Sequence, residues 1–310
     1  MFVVKYRTIF FALSGFLVLA SLALLLVFGL KPGIDFTGGT VAELSYTALP
    51  ARSDLETAVA PLSLGAVSIR QEGERGYIVR ARPLAEGERA ELVEALMPEG
   101  SGAVIERIAV IGPVIGEELK QKSFLAIGLV ILMIVLYIAF AFRKVSKPVS
   151  SFIYGIAAVV GLIHNVLIPM GIFALMGHYL GTEVDTLFVA ALLTVLGFSV
   201  HDTIVVFDRT RENLRKNAEQ NRKEDFELTV GKSLEQTYVR SINTSLTVVV
   251  VLLTLFFLGG PSTEDFTLAL LIGIIAGTYS SLCLASPLLV AWERMRSARP
   301  EPRAKEGAKK

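Results

Sequence analysis

Six apolar runs set what this chain can fold into. They cover residues 9–30, 124–142, 149–176, 187–207, 241–259 and 266–292. A helix of about 20 apolar residues crosses the hydrocarbon core of a bilayer. A backbone in lipid must satisfy its own polar groups, so each run is expected to be a membrane-spanning helix. The third and sixth runs are long enough to tilt or to extend past the bilayer. The first follows Lys5 and Arg7; it exceeds the ~7–15 residues of a secretory-signal core and is read as a retained span. The chain is 53% hydrophobic and only 19% charged, which excludes a typical soluble domain. Its single cysteine, Cys283, lies in an apolar run, so no internal disulfide forms and packing is its expected role. The three histidines are too scattered for a metal site.

Lysine and arginine segregate along the chain. They occur at the N-terminus (Lys5, Arg7), in the second connection (Arg143, Lys144, Lys147), in the fourth (from Arg209 to Arg240) and in the tail from Arg294 onward. The third and fifth connections carry Glu183, Asp185, Glu264 and Asp265 and no basic residue. An even number of spans puts both termini on one side, and the positive side is the cytoplasm. The organisation expected is the N-terminus with the first span at 1–30, an extracytoplasmic domain at 31–122, and five further spans over 123–293. A basic cytoplasmic loop or helical hairpin covers about 208–240, and a cytoplasmic, disordered tail covers 294–310.

Residues 31–122 alternate like a small sheet domain. Ala42, Leu44 and Tyr46 share one face of a first strand. Ser53 to Glu56 has the spacing of a capping box, with a short helix running to Pro61. A second strand around Val67 and Ile69, a turn at 72–76, a third strand at 77–82, a helix over 86–97 and a fourth strand at 104–111 follow. That order, β-α-β-β-α-β, is the split βαβ, ferredoxin-like α+β arrangement. The domain has ten basic and fourteen acidic residues, no cysteine, no histidine and no phosphate loop. It reads as a docking or peptide-handling module, not an enzyme.

Asp202 stands inside the fourth run, about 7.5 Å of helix before the boundary marked by Asp208 and Arg209. A charged carboxylate at the membrane centre costs at least ~2.5–3.5 kcal/mol, so a chain that keeps one has a use for it. The plain alternative is a carboxylate that snorkels or holds a static hydrogen bond. Ser199, Asp202 and Thr203 fall on one helical face, and Arg240, Thr244 and Thr247 fall on one face of the fifth run. The two helices run in opposite senses, so Asp202 and Arg240 both lie toward the cytoplasmic end. Gly273, Gly277 and Ser281 form a close-packing stripe on the sixth run. An intramembrane enzyme fails on geometry. Ser199 and His201 point about 200° apart on one helix, and Asp208 lies about 9 Å along the axis from Asp202, at the surface.

Five ordered motifs resemble the SecD/SecF protein-export family. They are Asp35-Phe36-Thr37-Gly38-Gly39, the segment from Ile111 through Gly112, Pro113 and Gly116 to Leu119, the block from Gly197 to Asn213, Arg240 with 241–247, and 257–261. The resemblance implies kinship with the RND transporters, with six spans forming half of a pseudo-symmetric twelve-span unit whose other half is SecD. It further implies association with the SecYEG channel, with YajC possible, acting on unfolded polypeptide after the SecA ATPase. The energy source would be the proton gradient, with no cofactor or metal, in the bacterial inner membrane. The family's membrane Asp and Arg match Asp202 and Arg240. His201 stands where the motif commonly has Asn, and a neutral hydrogen-bonding role is favoured over a proton relay for it.

The expectation is therefore a proton-coupled, non-enzymatic subunit of protein export, in which Asp202 pairs with Arg240 until a proton neutralises it. Ser199, His201, Thr203, Thr244 and Thr247 are supporting candidates. The alternatives are a passive assembly subunit and, behind it, a small-molecule efflux half-transporter. No nucleic-acid partner is expected.

Overall fold

The computed structural model describes residues 2–65, 67–98, 100–141 and 150–297. The connection bearing Arg143, Lys144 and Lys147, and the tail beyond residue 297, lie outside the described residues. Six helices are long and apolar enough to cross a membrane: Arg7–Phe28, Pro113–Ala141, Phe152–Tyr179, Thr186–Glu219, Phe226–Leu258 and Thr263–Arg296. Several outrun their apolar stretches. The second begins at Pro113, a favoured residue at a helix start because the first turn leaves its N–H position unpaired anyway. Residues 113–122 are thus helix and not the end of the sheet domain. The fourth and fifth spans continue as a helical hairpin past the apolar region, and the turn between them uses Asn221 at φ 51°, a left-handed conformation that Asn tolerates.

Burial separates inner spans from outer ones. Of the most apolar window, 56%, 50% and 67% is buried in the third, fourth and sixth spans, against 11%, 6% and 17% in the first, second and fifth. Glycine lets the inner helices approach. A Cβ on Gly273 would stand 2.3 Å from Val195 Cγ2, and one on Gly277 would stand 3.1 Å from Ser199 Cβ. The stripe expected on the sixth span is therefore a packing stripe against the fourth. The sixth span is interrupted by a π turn at Ser281–Ala285, a feature that concentrates at functional sites. In the third, Pro169 cannot donate to the carbonyl of Asn165 one turn back.

Between the first two spans lies an antiparallel sheet of β1 (Gly39–Ser45), β2 (Ser68–Glu72), β3 (Gly76–Ala81) and β4 (Val104–Ile111), in the order β2-β3-β1-β4. Helix α1 (Arg52–Val59) follows β1 and α2 (Glu86–Ala95) follows β3. Ala42, Leu44 and Tyr46 bury under the helices with Leu55, Leu92 and Leu96, and the Tyr46 hydroxyl donates to the Leu96 carbonyl at 2.9 Å. The capping box expected at Ser53 does not form. The helix starts at Arg52 with Ala51 as an uncapped N-cap. Ser53 sits within the first turn, 3.3 Å from Asp54 Oδ1, and Glu56 pairs with Arg52 at 2.7 Å.

The other face of the sheet, with Val41, Glu43, Ile78 and Arg80, turns to the loop that precedes the fourth span and to the first turn of the sixth. A β-bridge joins Pro32 to Val184, and Gly33 donates to the Val184 carbonyl at 2.8 Å. The domain is thus strapped to the bundle at the point where the chain leaves the first span.

Candidate functional site

The bundle buries a polar seam where its inner spans meet. Asp202 is 3% exposed, and Ser199 and Thr203 on the same helix are buried with it. The Asn165 amide of the third span donates to Ser199 Oγ at 2.5 Å, and His164 Nδ1 lies 2.9 Å from Asn165 Oδ1. From the π turn of the sixth span, Ser281 Oγ stands 2.9 Å from Thr203 Oγ1 and donates to the Ser199 carbonyl at 3.3 Å. Thr278 donates to Ser245 of the fifth span at 2.6 Å. His164 stacks on Tyr279, whose hydroxyl donates to the Phe10 carbonyl of the first span at 2.9 Å. Hydrogen-bonded side chains thus link the third, fourth and sixth spans, with branches to the first and fifth. A buried polar network of this kind fixes relative helix positions when every member is paired.

Three buried polar atoms in or beside the seam are not paired. Asp202 Oδ2, Ser241 Oγ and His164 Nε2 are buried and have no hydrogen-bond partner among the described residues. Ser241, on the fifth span, is the hydroxyl that faces the Asp202 carboxylate. Unsatisfied buried polar atoms are rare and costly, about 1–3 kcal/mol each.

Ser199 and Thr203 therefore lie where the sequence put them. Asp202 is buried beside them, and Arg240, His201, Thr244 and Thr247 stand outside the hydrogen-bonded seam. No ion pair or hydrogen bond joins Asp202 to Arg240 among the described residues; Arg240 is exposed, lining a shallow pocket with Asp208, Arg209 and Gln236. Successive helical residues diverge by about 100°, and on the fifth span Ser241 and Ser245 take the inward positions. Thr244 is half-buried, and exposed Thr247 bonds its own helix at the Thr244 carbonyl, 2.8 Å. His201 points outward for the same reason. His164, Asn165, Ser241, Ser245, Thr278 and Ser281 were missed. The adjacent His164-Asn165 pair inside an apolar run was the available sign.

Arg209 begins a ladder that ties the fourth and fifth spans together beyond the apolar zone. Arg209 Nε donates to Gln236 at 2.6 Å, Asn213 to Ser233 at 2.9 Å and Asn217 to Thr229 at 3.2 Å. These rungs lie four residues apart on the fourth span, so one helical stripe carries them all. Asp208 stays at the surface, 3.9 Å from Arg211.

The Asp35 to Gly39 motif builds the strap. Thr186 donates its backbone N–H to Asp35 Oδ2 at 3.0 Å, and its hydroxyl donates to the same oxygen. Thr37 Oγ1 bonds back to the Gly33 carbonyl at 3.0 Å, while Phe36 turns to the second span. Gly38 has φ +73°, and a Cβ there would lie 2.9 Å from Pro113 Cα; a Cβ on Gly116 would lie 2.9 Å from the Gly38 nitrogen. Gly39, at φ +150°, passes 3.0 Å from the Ala81 carbonyl by the same measure. Gly112, Pro113 and Gly116 are thus the surface on which Gly38 rests.

Beneath the sheet, a cavity of about 80 Å³ collects Asp35, Glu43, Glu183, Asp185 and Asp265 against Arg70, Arg80 and Arg107. Arg80 reaches Glu183 at 3.2 Å, and Arg70 donates to the Leu180 carbonyl at 2.8 Å. Burial pushes the Glu183 carboxyl above the usual range, partly offset by Arg80, Lys31 and Arg70. It raises Glu43 as well, against Arg107 and Arg80. Asp185 is raised by burial and further by the charge on Asp35, although it caps the Phe188 N–H at 2.8 Å.

Residues 93–295 match the family described as protein export membrane protein SecD/SecF, C-terminal, and residues 23–48 match the SecD/SecF GG motif. The protein translocase subunit SecF of Thermobaculum terrenum is 45% identical over 94% of this chain and 93% of its own length. That of Anaerolinea thermophila is 37% identical over 93% and 92%. The crystal structure of SecDF from Thermus thermophilus superposes with a TM-score of 0.80 at 32% identity, over 94% of this chain and 38% of that one. This chain therefore spans less than two fifths of the SecDF chain. With family matches over both the strap and the bundle, and full-length relatives this close, the chain belongs to the SecF branch of the SecD/SecF protein-export membrane proteins.

Proposed function

We propose that this chain is a proton-coupled subunit of Sec protein export, working with SecD beside SecYEG. It takes up polypeptide after SecA, with YajC a possible further partner. The existence of relatives that carry SecD and SecF in one chain supports the pairing with SecD. In this reading both termini are cytoplasmic, the six spans are half of a twelve-span RND-like unit, and the chain is not an enzyme. The sheet domain, with its β-α-β-β-α-β order and β2-β3-β1-β4 arrangement, is a ferredoxin-like extracytoplasmic module that handles or docks the emerging polypeptide.

The observation that carries the reading is Asp202, buried in the seam with one oxygen unpaired and the Ser241 hydroxyl unpaired near it. A lone carboxylate in the membrane is costly as an anion. A proton arriving at Asp202 cancels that cost, and its departure restores it. The groups around it belong to the network that sets how the inner spans pack, so the two charge states favour different packings. One charge crossing 100 mV is worth about 2.3 kcal/mol, the scale on which packed two-state elements differ. The strap carries the movement to the sheet domain. Arg240, at the surface beside Ser241, receives the Asp202 charge in the other packing.

The test uses vesicles containing SecYEG, SecD and this chain, with a translocation intermediate left to complete after ATP is withdrawn. An imposed proton gradient speeds completion in wild type. Asp202→Asn, assembled normally, loses that response. A mutant that responds like wild type makes Asp202 structural and favours a passive assembly subunit.

A further inference from the structure

A groove of about 260 Å³ runs between the second span and the third and fourth. Its walls are Phe124 and Ile127 of the second span, Met170 of the third, and Phe188 and Leu192 of the fourth. Pro32 and Phe36, both in the strap, close its upper end. Among the described residues, polar side chains enter from Lys120 and Ser123, on the second span at the end nearest the sheet domain. From Lys120 to Ile127 is about 10 Å along the helix axis. The groove is thus polar at its mouth and apolar below, along a helix with only 6% of its apolar window buried.

We propose that this groove is a lipid site, taking one acyl chain of an anionic glycerophospholipid whose phosphate sits on Lys120 and Ser123. An apolar cavity of this kind does not hold water, and left empty it forfeits dispersion contacts along its whole lining. The lysine selects the headgroup. Its ammonium lies 3.5 Å from Glu117, with half the side chain exposed on each residue. A surface pair of that kind is worth little and exchanges readily for a phosphate.

The site has a consequence for the strap. Pro32 is bridged to Val184, and Asp35, beside Phe36, holds Thr186. A chain lying under Pro32 and Phe36 braces the link between the sheet domain and the fourth span. The lipid becomes a structural part of the hinge on which the domain is carried. The inference rests on the multi-pass fold and not on proton coupling at Asp202.

The experiment is native mass spectrometry of the full-length chain in mild detergent, with phosphatidylglycerol and phosphatidylcholine of identical acyl chains as probes. Wild type retains one phosphatidylglycerol, preferred about fivefold, the worth of one lysine near an anionic headgroup. Lys120→Gln brings the two lipids to parity. Lys122→Gln, whose residue pairs with Glu118 at 2.7 Å and does not line the groove, keeps the preference. Met170→Trp, and independently Ile127→Trp, fill the groove and lose both lipids while the protein elutes as wild type does. The proposal is overturned if wild type binds both lipids equally, or if Lys122→Gln acts as strongly as Lys120→Gln. It is equally overturned if both tryptophan variants keep the lipid, or if added SecD displaces it, which would make the groove a subunit interface.

Discussion

Thr186 gives both its backbone N–H and its hydroxyl to one oxygen of Asp35. The residue that opens the fourth span is thereby pinned to the segment that leaves the first. Asp35 also lies at the positive end of that helix, where a carboxylate is favoured. Hydrogen bonds to a charged group contribute about 1.5–3 kcal/mol each. Asp35→Ala is expected to lower the unfolding free energy by that order, and Asp35→Asn by less, since the amide oxygen still accepts. Amide exchange should show residues 31–38 opening before the bundle does. Unchanged exchange in Asp35→Ala would show that this link does not hold the strap.

Gly38 and Gly116 make a second pair of constraints, because the strap rests on the start of the second span. Gly116→Ala places a Cβ 2.9 Å from the Gly38 nitrogen and 3.1 Å from the Phe36 carbonyl oxygen. Both are backbone atoms and cannot rotate away, so the substitution is expected to cost about 1–3 kcal/mol. Gly38→Ala combines a similar clash with positive φ. Gly128→Ala, further along the same helix with nothing within 4 Å, is expected to be neutral or slightly stabilising. Thermal unfolding in one detergent ranks the three, and a Gly116→Ala protein as stable as Gly128→Ala contradicts the packing.

The junction beneath the sheet should respond to pH in a definite direction. Glu183, Asp185 and Glu43 have carboxyls raised by burial in the docked state. A raised carboxyl binds its proton more tightly when docked than when free, so acid favours docking. The contribution is complete below the ordinary values, 3.8 for Asp and 4.5 for Glu, and is lost as pH climbs through the raised ones. Exchange protection of β1 and β3 is expected to rise as pH falls from neutral toward the ordinary carboxyl values, after correction for intrinsic rates. Asp185→Asn keeps an N-cap for the fourth span and should flatten that dependence. Protection that falls with acid would reverse the sign assigned to these groups.

Much of the sheet domain was legible because one face is wet and the other packed. Alternation at Ala42, Leu44 and Tyr46 reports that difference directly. In the bundle, apolar side chains face both lipid and protein, so composition marks a span but not its inner face. The fifth span shows the difficulty. Hydroxyls at 241, 244, 245 and 247 surround the helix, and the charge of Arg240 drew attention to its face and away from the buried Ser241–Ser245 face. The Asp35–Thr186 link has no periodic sign at all, because it joins segments 151 residues apart. The misplaced capping box at Ser53 was a matter of two residues in helix start, since Ala51 takes the N-cap position without a side-chain cap.

The two faces of the fifth span can be told apart by function. Ser241 Oγ is buried and unpaired on the side of Asp202, whereas Thr247 is exposed and satisfied by its own helix. If proton transfer at Asp202 draws on the seam, Ser241→Ala removes the hydroxyl that is unpaired in this packing and free to donate to the carboxylate in the other. A hydrogen bond to a charged group is worth about 1.5–3 kcal/mol, so the gradient-driven rate should fall roughly ten- to hundredfold. Ser245→Ala leaves Thr278 its bond to the Ile274 carbonyl at 2.9 Å, and a smaller effect is expected. Thr247→Ala should behave as wild type, and Arg240→Gln should lose the response without loss of stability, since the side chain is exposed. The vesicle assay with and without an imposed gradient reads all four. A Thr247→Ala defect larger than that of Ser241→Ala would move the working face outward, to the surface that carries Arg240.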